Sequence, residues 1–131
     1  MKIHHLGLAV ESIAAAAPVF EKLLGKAADE EETVASQKVR VAVFRVGESR
    51  LELLEGTSTD SPIRRFISKR GPGIHHLAIT VPNLAEALSD LEKLGFRLVH
   101  REPEPGAGGE RIAFLHPAST AGVLIELIEE P

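Results

Sequence analysis

An internal repeat constrains the fold of this 131-residue chain more than any other feature of its sequence. The segment His4–Val10, HHLGLAV, reappears as HHLAITV at His75–Val81. Each half then closes with a carboxylate inside an apolar segment, Glu52 in the first half and Glu126 in the second. Because His and Glu recur in the same order, the pattern indicates a duplicated module rather than a chance similarity.

Each half predicts a strand, a helix and then several strands, which is an α+β fold built from a duplicated module. The strand-like segments are rich in β-branched and apolar residues. They are Ile3–Ala9, Val39–Val46, Arg50–Glu55, His75–Val81, Arg111–Leu115 and Val123–Ile128. We expect one domain over residues 1–131, with module 1 at about 1–60, a linker helix at about 61–70 and module 2 at about 74–131.

The helix of the second half has clear boundaries in the sequence. Asn83 can cap it, Glu86 completes a capping box, and Gly95 ends it. Its predicted apolar stripe consists of Leu84, Ala87, Leu88, Leu91 and Leu94. The first-half helix, Ala14–Leu24, contains Pro18, which should distort or delay it.

Two further segments are predicted from proline and glycine. Ser61-Pro62 begins the short linker helix, which runs through Lys69 and ends at Gly71-Pro72-Gly73. Pro103–Gly109 has no apolar pattern and is predicted to be a loop.

The composition excludes several kinds of protein and of site. The net charge of −4 provides no overall basic field for nucleic acid or for an acidic membrane surface. The chain has no Cys, so thiolate ligands and disulfides are excluded. No segment approaches the ~20 apolar residues of a membrane span, and the N-terminal apolar run is too short for a signal peptide. We therefore expect a cytoplasmic protein.

Strand alternation places the second His of each repeat beside small side chains. His5 shares its face with Gly7 and Ala9, and His76 shares its face with Ala78 and Thr80. The larger aliphatic residues occupy the opposite face, together with the first His of each pair, and are predicted to pack against a helix. His4 and His75 are therefore interpreted as structural, and His100 as a surface residue.

Two imidazoles and two carboxylates could supply four ligands to one divalent metal ion. A carboxylate on a buried strand is costly to desolvate unless it pairs with a cation. One His on a strand is more often a structural residue, and one Glu can face solvent at an edge, but the symmetrical recurrence favours a metal site. The predicted ligands are His5, Glu52, His76 and Glu126, and Co, Mn, Ni, Fe or Zn would fit such donors.

Several longer blocks resemble the methylmalonyl-CoA epimerase family of the vicinal oxygen chelate superfamily. They are QKVRVAVFRVGESRLELLE, DSPIRRFISKRGPGIHH and GERIAFLHP with GVLIELIE, and they cover most of the chain. The resemblance implies two tandem βαβββ modules that form a curved, barrel-like sheet around one metal site, with cobalt as the usual metal, an acyl-CoA substrate and a homodimer. It also implies that His5, Glu52, His76 and Glu126 are the metal ligands.

The implied reaction is epimerisation at C2 of methylmalonyl-CoA, by proton abstraction next to the thioester and a metal-stabilised enolate. Glu126 matches one proposed base. The other family base aligns with Val41, which cannot carry a proton, so a bound water, Gln37 or His116 remain as alternatives. The competing functions are a glyoxalase I-like lactoylglutathione lyase and a non-enzymatic small-molecule-binding protein of the bleomycin-resistance kind.

Overall fold

The computed structural model describes residues 1–131 and has the element order βαβββ twice, with one helix between the two copies. This confirms the predicted α+β class. The strands are β1 (Ile3–Ala9), β2 (Glu30–Val34), β3 (Val39–Val46), β4 (Ser49–Gly56), β5 (Gly73–Val81), β6 (Glu104–Pro105), β7 (Arg111–Leu115) and β8 (Ile125–Glu129). The helices are α1 (Ile13–Leu24), α2 (Pro62–Arg70) and α3 (Leu84–Lys93). None of these helices is long and apolar enough to span a bilayer.

The chain divides into two compact units, and β1 contributes residues to both. The terminal unit comprises Met1–His5 and His76–Pro131, and the central unit comprises Leu6–His75. In the central unit the strand order is β2-β3-β4-β1, and the β2–β3 and β3–β4 pairs are antiparallel. In the terminal unit the order is β1-β5-β8-β7-β6, in which β5 and β8 are parallel and β8, β7 and β6 are antiparallel neighbours.

The central unit buries apolar side chains on both faces of its strands. Ile13 of α1 packs with Phe44 and Leu53 on one face. Ile63 of α2 packs with Val41 and with the other buried residues of the opposite face. Because side chains alternate along β3 and β4, one face of these strands packs against α1 and the other packs against α2.

The predicted effect of Pro18 on α1 was wrong, because the helix runs without a break from Ile13 to Leu24. Ser12 is its N-cap, and the Ser12 hydroxyl accepts a hydrogen bond from the Ala15 N–H. Pro18 removes the helical partner of the Ala14 carbonyl, but both residues are exposed. Water can hydrogen-bond the freed carbonyl, so the helix continues through this position.

In the terminal unit, the predicted apolar stripe of α3 packs against β7 and β8. Leu84 and Leu88 are fully buried among Val81, Leu115 and Leu127. The predicted N-cap is confirmed, because the Asn83 side chain accepts a hydrogen bond from the Glu86 N–H. Leu94 was wrongly included in the stripe: it follows the last helical residue and is 74% exposed.

Two strands were absent from the predicted set, and both are exposed. β2 has the sequence EEETV, and its three glutamates give no apolar alternation. β6 is a two-residue strand within the predicted loop Pro103–Gly109, where it pairs with Arg111 and Ile112 of β7. Both lie at the end of the strand order of their unit, where burial imposes no hydrophobic pattern.

Candidate metal centre

Three of the predicted ligands meet in the terminal unit, each from a different strand. His5 lies on β1, His76 on β5 and Glu126 on β8, and these strands are successive neighbours. The Nε2 atoms of His5 and His76 are 2.9 Å apart. Oε1 of Glu126 lies 3.2 Å from the His5 Nε2 atom and 3.0 Å from the His76 Nε2 atom. The donor atoms therefore form a nearly equilateral triangle.

This triangle is buried, which is unusual for three titratable side chains. His5, His76 and Glu126 are 4%, 6% and 7% exposed. Their burial follows from strand alternation, because each is flanked two residues away by a buried residue on the same face: Gly7, Ala78 and Ile128. The small residues predicted beside the two histidines are thus confirmed to be buried with them.

The charge of Glu126 depends on the two imidazoles. Burial by itself would raise the pKa of Glu126, but the hydrogen bonds from His5 and His76 outweigh it and lower that pKa to about 2. Glu126 is therefore a carboxylate at neutral pH. A buried carboxylate facing two ring nitrogens is the donor chemistry of a divalent metal site.

The spacing of the three donor atoms also fits one ion. Metal–nitrogen and metal–oxygen bonds are about 2.1 Å long, and two such ligands at right angles lie about 3.0 Å apart. The observed separations of 2.9 to 3.2 Å match this value. Two facing imidazole nitrogens need a proton between them to attract each other, whereas one cation can attract all three atoms at once. These residues therefore fit a divalent metal ion.

Small and aromatic side chains surround Glu126 on its face of the sheet. Ala78 of β5 and Phe114 of β7 are its cross-strand partners. The Phe114 ring meets the His76 ring edge to face, with their centroids 5.5 Å apart. The backbone N–H of Phe114 donates to Nδ1 of His100 at 3.0 Å. His100 is half-buried, and this hydrogen bond ties the predicted surface residue to β7.

Glu52, the fourth predicted ligand, belongs to the central unit. It lies on β4 opposite Val43 and is 6% exposed. A buried carboxylate in an apolar strand agrees with the reason for which it was singled out. Its role as a ligand stays a prediction.

The first His of each repeat differs in its surroundings. His4 places its Nδ1 atom 2.7 Å from Nδ1 of His5, although alternation assigned His4 to the other face. His75 instead packs its ring against Phe66, with the centroids 5.0 Å apart. Sequence reasoning missed the contact of His4, because the orientation of a ring about its own side-chain bonds leaves no periodic signal.

The family position of the second base and the two residues named as alternatives to it lie in different settings. Val41 is 2% exposed and belongs to an apolar cluster of the central unit. Gln37 is the last residue of a short 3-10 turn, Ala35–Gln37. Nδ1 of His116 accepts a hydrogen bond from the Ala118 N–H at 3.0 Å and caps the turn Pro117–Ser119. Because this bond uses Nδ1, a proton transfer by His116 would use the other ring nitrogen, Nε2.

Known proteins resemble this chain over most of its length. The sequence profile of the Glyoxalase/Bleomycin resistance protein/Dioxygenase superfamily matches residues 4–114. The uncharacterized protein YqjC of Bacillus subtilis is 44% identical, over 98% of this chain and 91% of that protein. Human mitochondrial methylmalonyl-CoA epimerase is 35% identical, over 96% of this chain and 72% of that protein.

Solved structures extend the similarity to three dimensions. One is a variant of Streptomyces coelicolor methylmalonyl-CoA epimerase in complex with 2-nitronate-propionyl-CoA. It superposes with a TM-score of 0.93 at 32% sequence identity and covers 100% of this chain and 99% of that chain.

Proposed function

The chain belongs to the glyoxalase/bleomycin resistance/dioxygenase superfamily, and we propose that within it this protein is a methylmalonyl-CoA epimerase that inverts C2 of its substrate. One observation carries the proposal: His5, His76 and Glu126 form a buried donor triangle in a chain that matches such epimerases along its whole length. A CoA thioester is the proposed substrate.

The proposed ligands of the metal are His5, His76 and Glu126, with Glu52 as the fourth. Cobalt is the proposed ion, and Mn, Ni, Zn or Fe would suit the same nitrogen and oxygen donors. A divalent ion held there would supply Lewis-acid stabilisation of the negative charge that develops when a thioester loses its α-proton. Ala78 and Phe114 contribute apolar surface next to Glu126, which limits the water around it.

Glu126 is the proposed base on one face of the substrate. Because its pKa is about 2, it is ionised and ready to accept a proton at neutral pH. Such a weak base removes the proton of a thioester effectively only where the developing enolate is stabilised. The base and the proposed metal site therefore depend on each other.

Inversion also requires a proton to be delivered on the opposite face. Val41 cannot carry one, because its side chain is a hydrocarbon that is buried in the apolar cluster. We propose that bound water or His116 serves this step, since Gln37 has no titratable proton.

Two other functions of this superfamily make different predictions. A lactoylglutathione lyase would use a similar donor set on a glutathione thiohemiacetal. A small-molecule-binding protein would need no charged donor triangle, and the buried Glu126 argues against it because burying an ionised carboxylate has a large free-energy cost. A homodimer, which the family resemblance implies, and a cytoplasmic location complete the proposal.

Exchange of the C2 proton of methylmalonyl-CoA for deuterium tests the proposal. We expect cobalt-dependent exchange in D2O that EDTA abolishes, and no formation of lactoylglutathione from methylglyoxal and glutathione. Exchange at the background rate in the cobalt-loaded protein would overturn the epimerase assignment, and lactoylglutathione formation would favour the lyase. Elemental analysis of the purified protein separates either enzyme from a metal-free binding protein.

A further inference from the structure

A hydrogen bond between neighbouring histidines extends the donor triangle by one residue. Nδ1 of His4 lies 2.7 Å from Nδ1 of His5, and the rings meet edge to face with centroids 5.0 Å apart. His5 thus uses both ring nitrogens: Nε2 faces His76 and Glu126, and Nδ1 faces His4. At 2.7 Å one of the two Nδ1 atoms must carry the proton and the other must present its lone pair.

Ion binding determines the direction of this hydrogen bond. A neutral imidazole has one N–H and one lone pair, and a ligand nitrogen must present its lone pair to the ion. If Nε2 of His5 binds the ion, its proton is on Nδ1, and that N–H donates across the 2.7 Å contact to the Nδ1 lone pair of His4. His4 is then protonated on Nε2. The 2.7 Å contact therefore specifies the tautomers of both rings.

We propose that His4 is a positioning residue of the metal centre, whose Nδ1 accepts the proton of His5 and so holds the His5 ring with its Nε2 lone pair toward the ion. The inference rests on the proposed metal site. A hydrogen-bond acceptor behind a ligand histidine fixes its orientation and increases its basicity, and removing such an acceptor typically weakens metal binding 10- to 100-fold.

The repeat supplies a matched control. His75 occupies the corresponding position before His76, but its ring packs against Phe66. The same substitution at the two positions therefore removes an acceptor in one module and an aromatic contact in the other. Asn offers a rescue at residue 4, because its Oδ1 atom is separated from the main chain by the same number of bonds as Nδ1 of His. Leu has a similar branching but no acceptor.

The test measures the dissociation constant of Co²⁺ alone, by titration of the metal-free 131-residue chain, with no substrate present. We expect His4→Ala and His4→Leu to weaken binding about 10- to 100-fold, and His4→Asn and His75→Ala to stay within about threefold of the wild type. Unchanged binding in His4→Leu, or Asn no better than Leu, would overturn the role of His4. A wild-type chain that binds no Co²⁺ would instead overturn the metal site itself.

NMR of the wild-type chain covers the case in which the substituted chains do not fold. In the zinc-loaded protein, which is diamagnetic, imidazole ¹⁵N shifts should show His5 protonated on Nδ1 and His4 protonated on Nε2. The opposite tautomer of His5, or a metal-bound nitrogen on His4, would contradict a positioning role.

Discussion

Glu126 owes its ionisation to two neighbours rather than to solvent. Burial on β8 would raise the pKa of Glu126, but hydrogen bonds from His5 and His76 outweigh this effect. Removing either imidazole would leave a buried charge with less compensation, which costs several kcal/mol in proteins. The three side chains therefore act as one unit, and single substitutions among them will not have additive effects.

At this scale we expect Glu126→Gln to reduce kcat/KM for methylmalonyl-CoA at least ~10³-fold, because Gln removes both the proposed base and the anionic donor. His116→Ala should cost less, within about tenfold, since the opposite-face proton can also come from water. Steady-state kinetics of the two cobalt-loaded variants checks this ranking. A larger loss in His116→Ala would contradict the assignment of Glu126 as the main acid/base group.

A further glutamate follows Glu52 and Glu126 by three residues in each module, and it caps a helix. Oε1 of Glu55 accepts a hydrogen bond from the Ile13 N–H at 2.6 Å, at the start of α1. Oε1 of Glu129 accepts one from the Leu84 N–H at 3.0 Å, at the start of α3. Odd spacing along a strand places successive glutamates on opposite faces. One face of each closing strand thus provides Glu52 or Glu126, and the other face provides the glutamate that caps a helix.

At the scale of elements we expect Glu55→Gln and Glu129→Gln each to lower the free energy of unfolding by about 1 kcal/mol, because each removes a negative charge from a helix N-terminus. Urea denaturation of the metal-free variants measures this. Glu102→Gln, at an exposed position outside the helices, is the matched control and should change little. Equal effects at all three positions would indicate a general charge effect rather than capping.

Prediction from the sequence succeeded where burial gives apolar residues a regular spacing along the chain. The helix α3 and the strands β1, β3, β5 and β7 have apolar alternation or caps that can be recognised without a structure. β2 was missed because its glutamates are exposed on both faces, and Pro18 was misjudged because the sequence does not show that the freed carbonyl reaches solvent. The donor triangle was predicted from the repeat of His5 and His76, whereas the contact of His4 depends on ring orientation, which has no period.

At the scale of the whole molecule, the pKa of Glu126 links the site to folding. A folded-state pKa of about 2, below the ordinary 4.5, means that the ionised carboxylate stabilises the metal-free fold above about pH 4.5. That contribution, on the order of 3 kcal/mol, is lost as the pH falls toward 2. We expect Glu126→Gln to flatten this part of the curve of unfolding free energy against pH.

Asp60 provides the comparison for this pH dependence. A side-chain hydrogen bond from Lys38 and a second one from Ser58 lower its pKa to about 2 as well, but Asp60 is exposed. Solvent screens exposed pairs, so Asp60→Asn should flatten the curve much less than Glu126→Gln does. Urea unfolding at several pH values between about 2 and 6 distinguishes them. Equal flattening would show that burial adds nothing to the linkage.

Ion binding should also stabilise the whole chain, because the unfolded chain does not hold the four proposed ligands together. At about 100 times its dissociation constant, Co²⁺ should add about 3 kcal/mol to the free energy of unfolding.

Glu52 makes this measurement informative, since it lies in the central unit and the other three proposed ligands lie in the terminal unit. We expect Glu52→Ala to weaken Co²⁺ binding about tenfold or more, and Glu52→Gln, which keeps an oxygen donor, to weaken it less. If Glu52→Ala binds Co²⁺ like the wild type, the ion is held by His5, His76 and Glu126 alone, and stabilisation by cobalt is a property of the terminal unit.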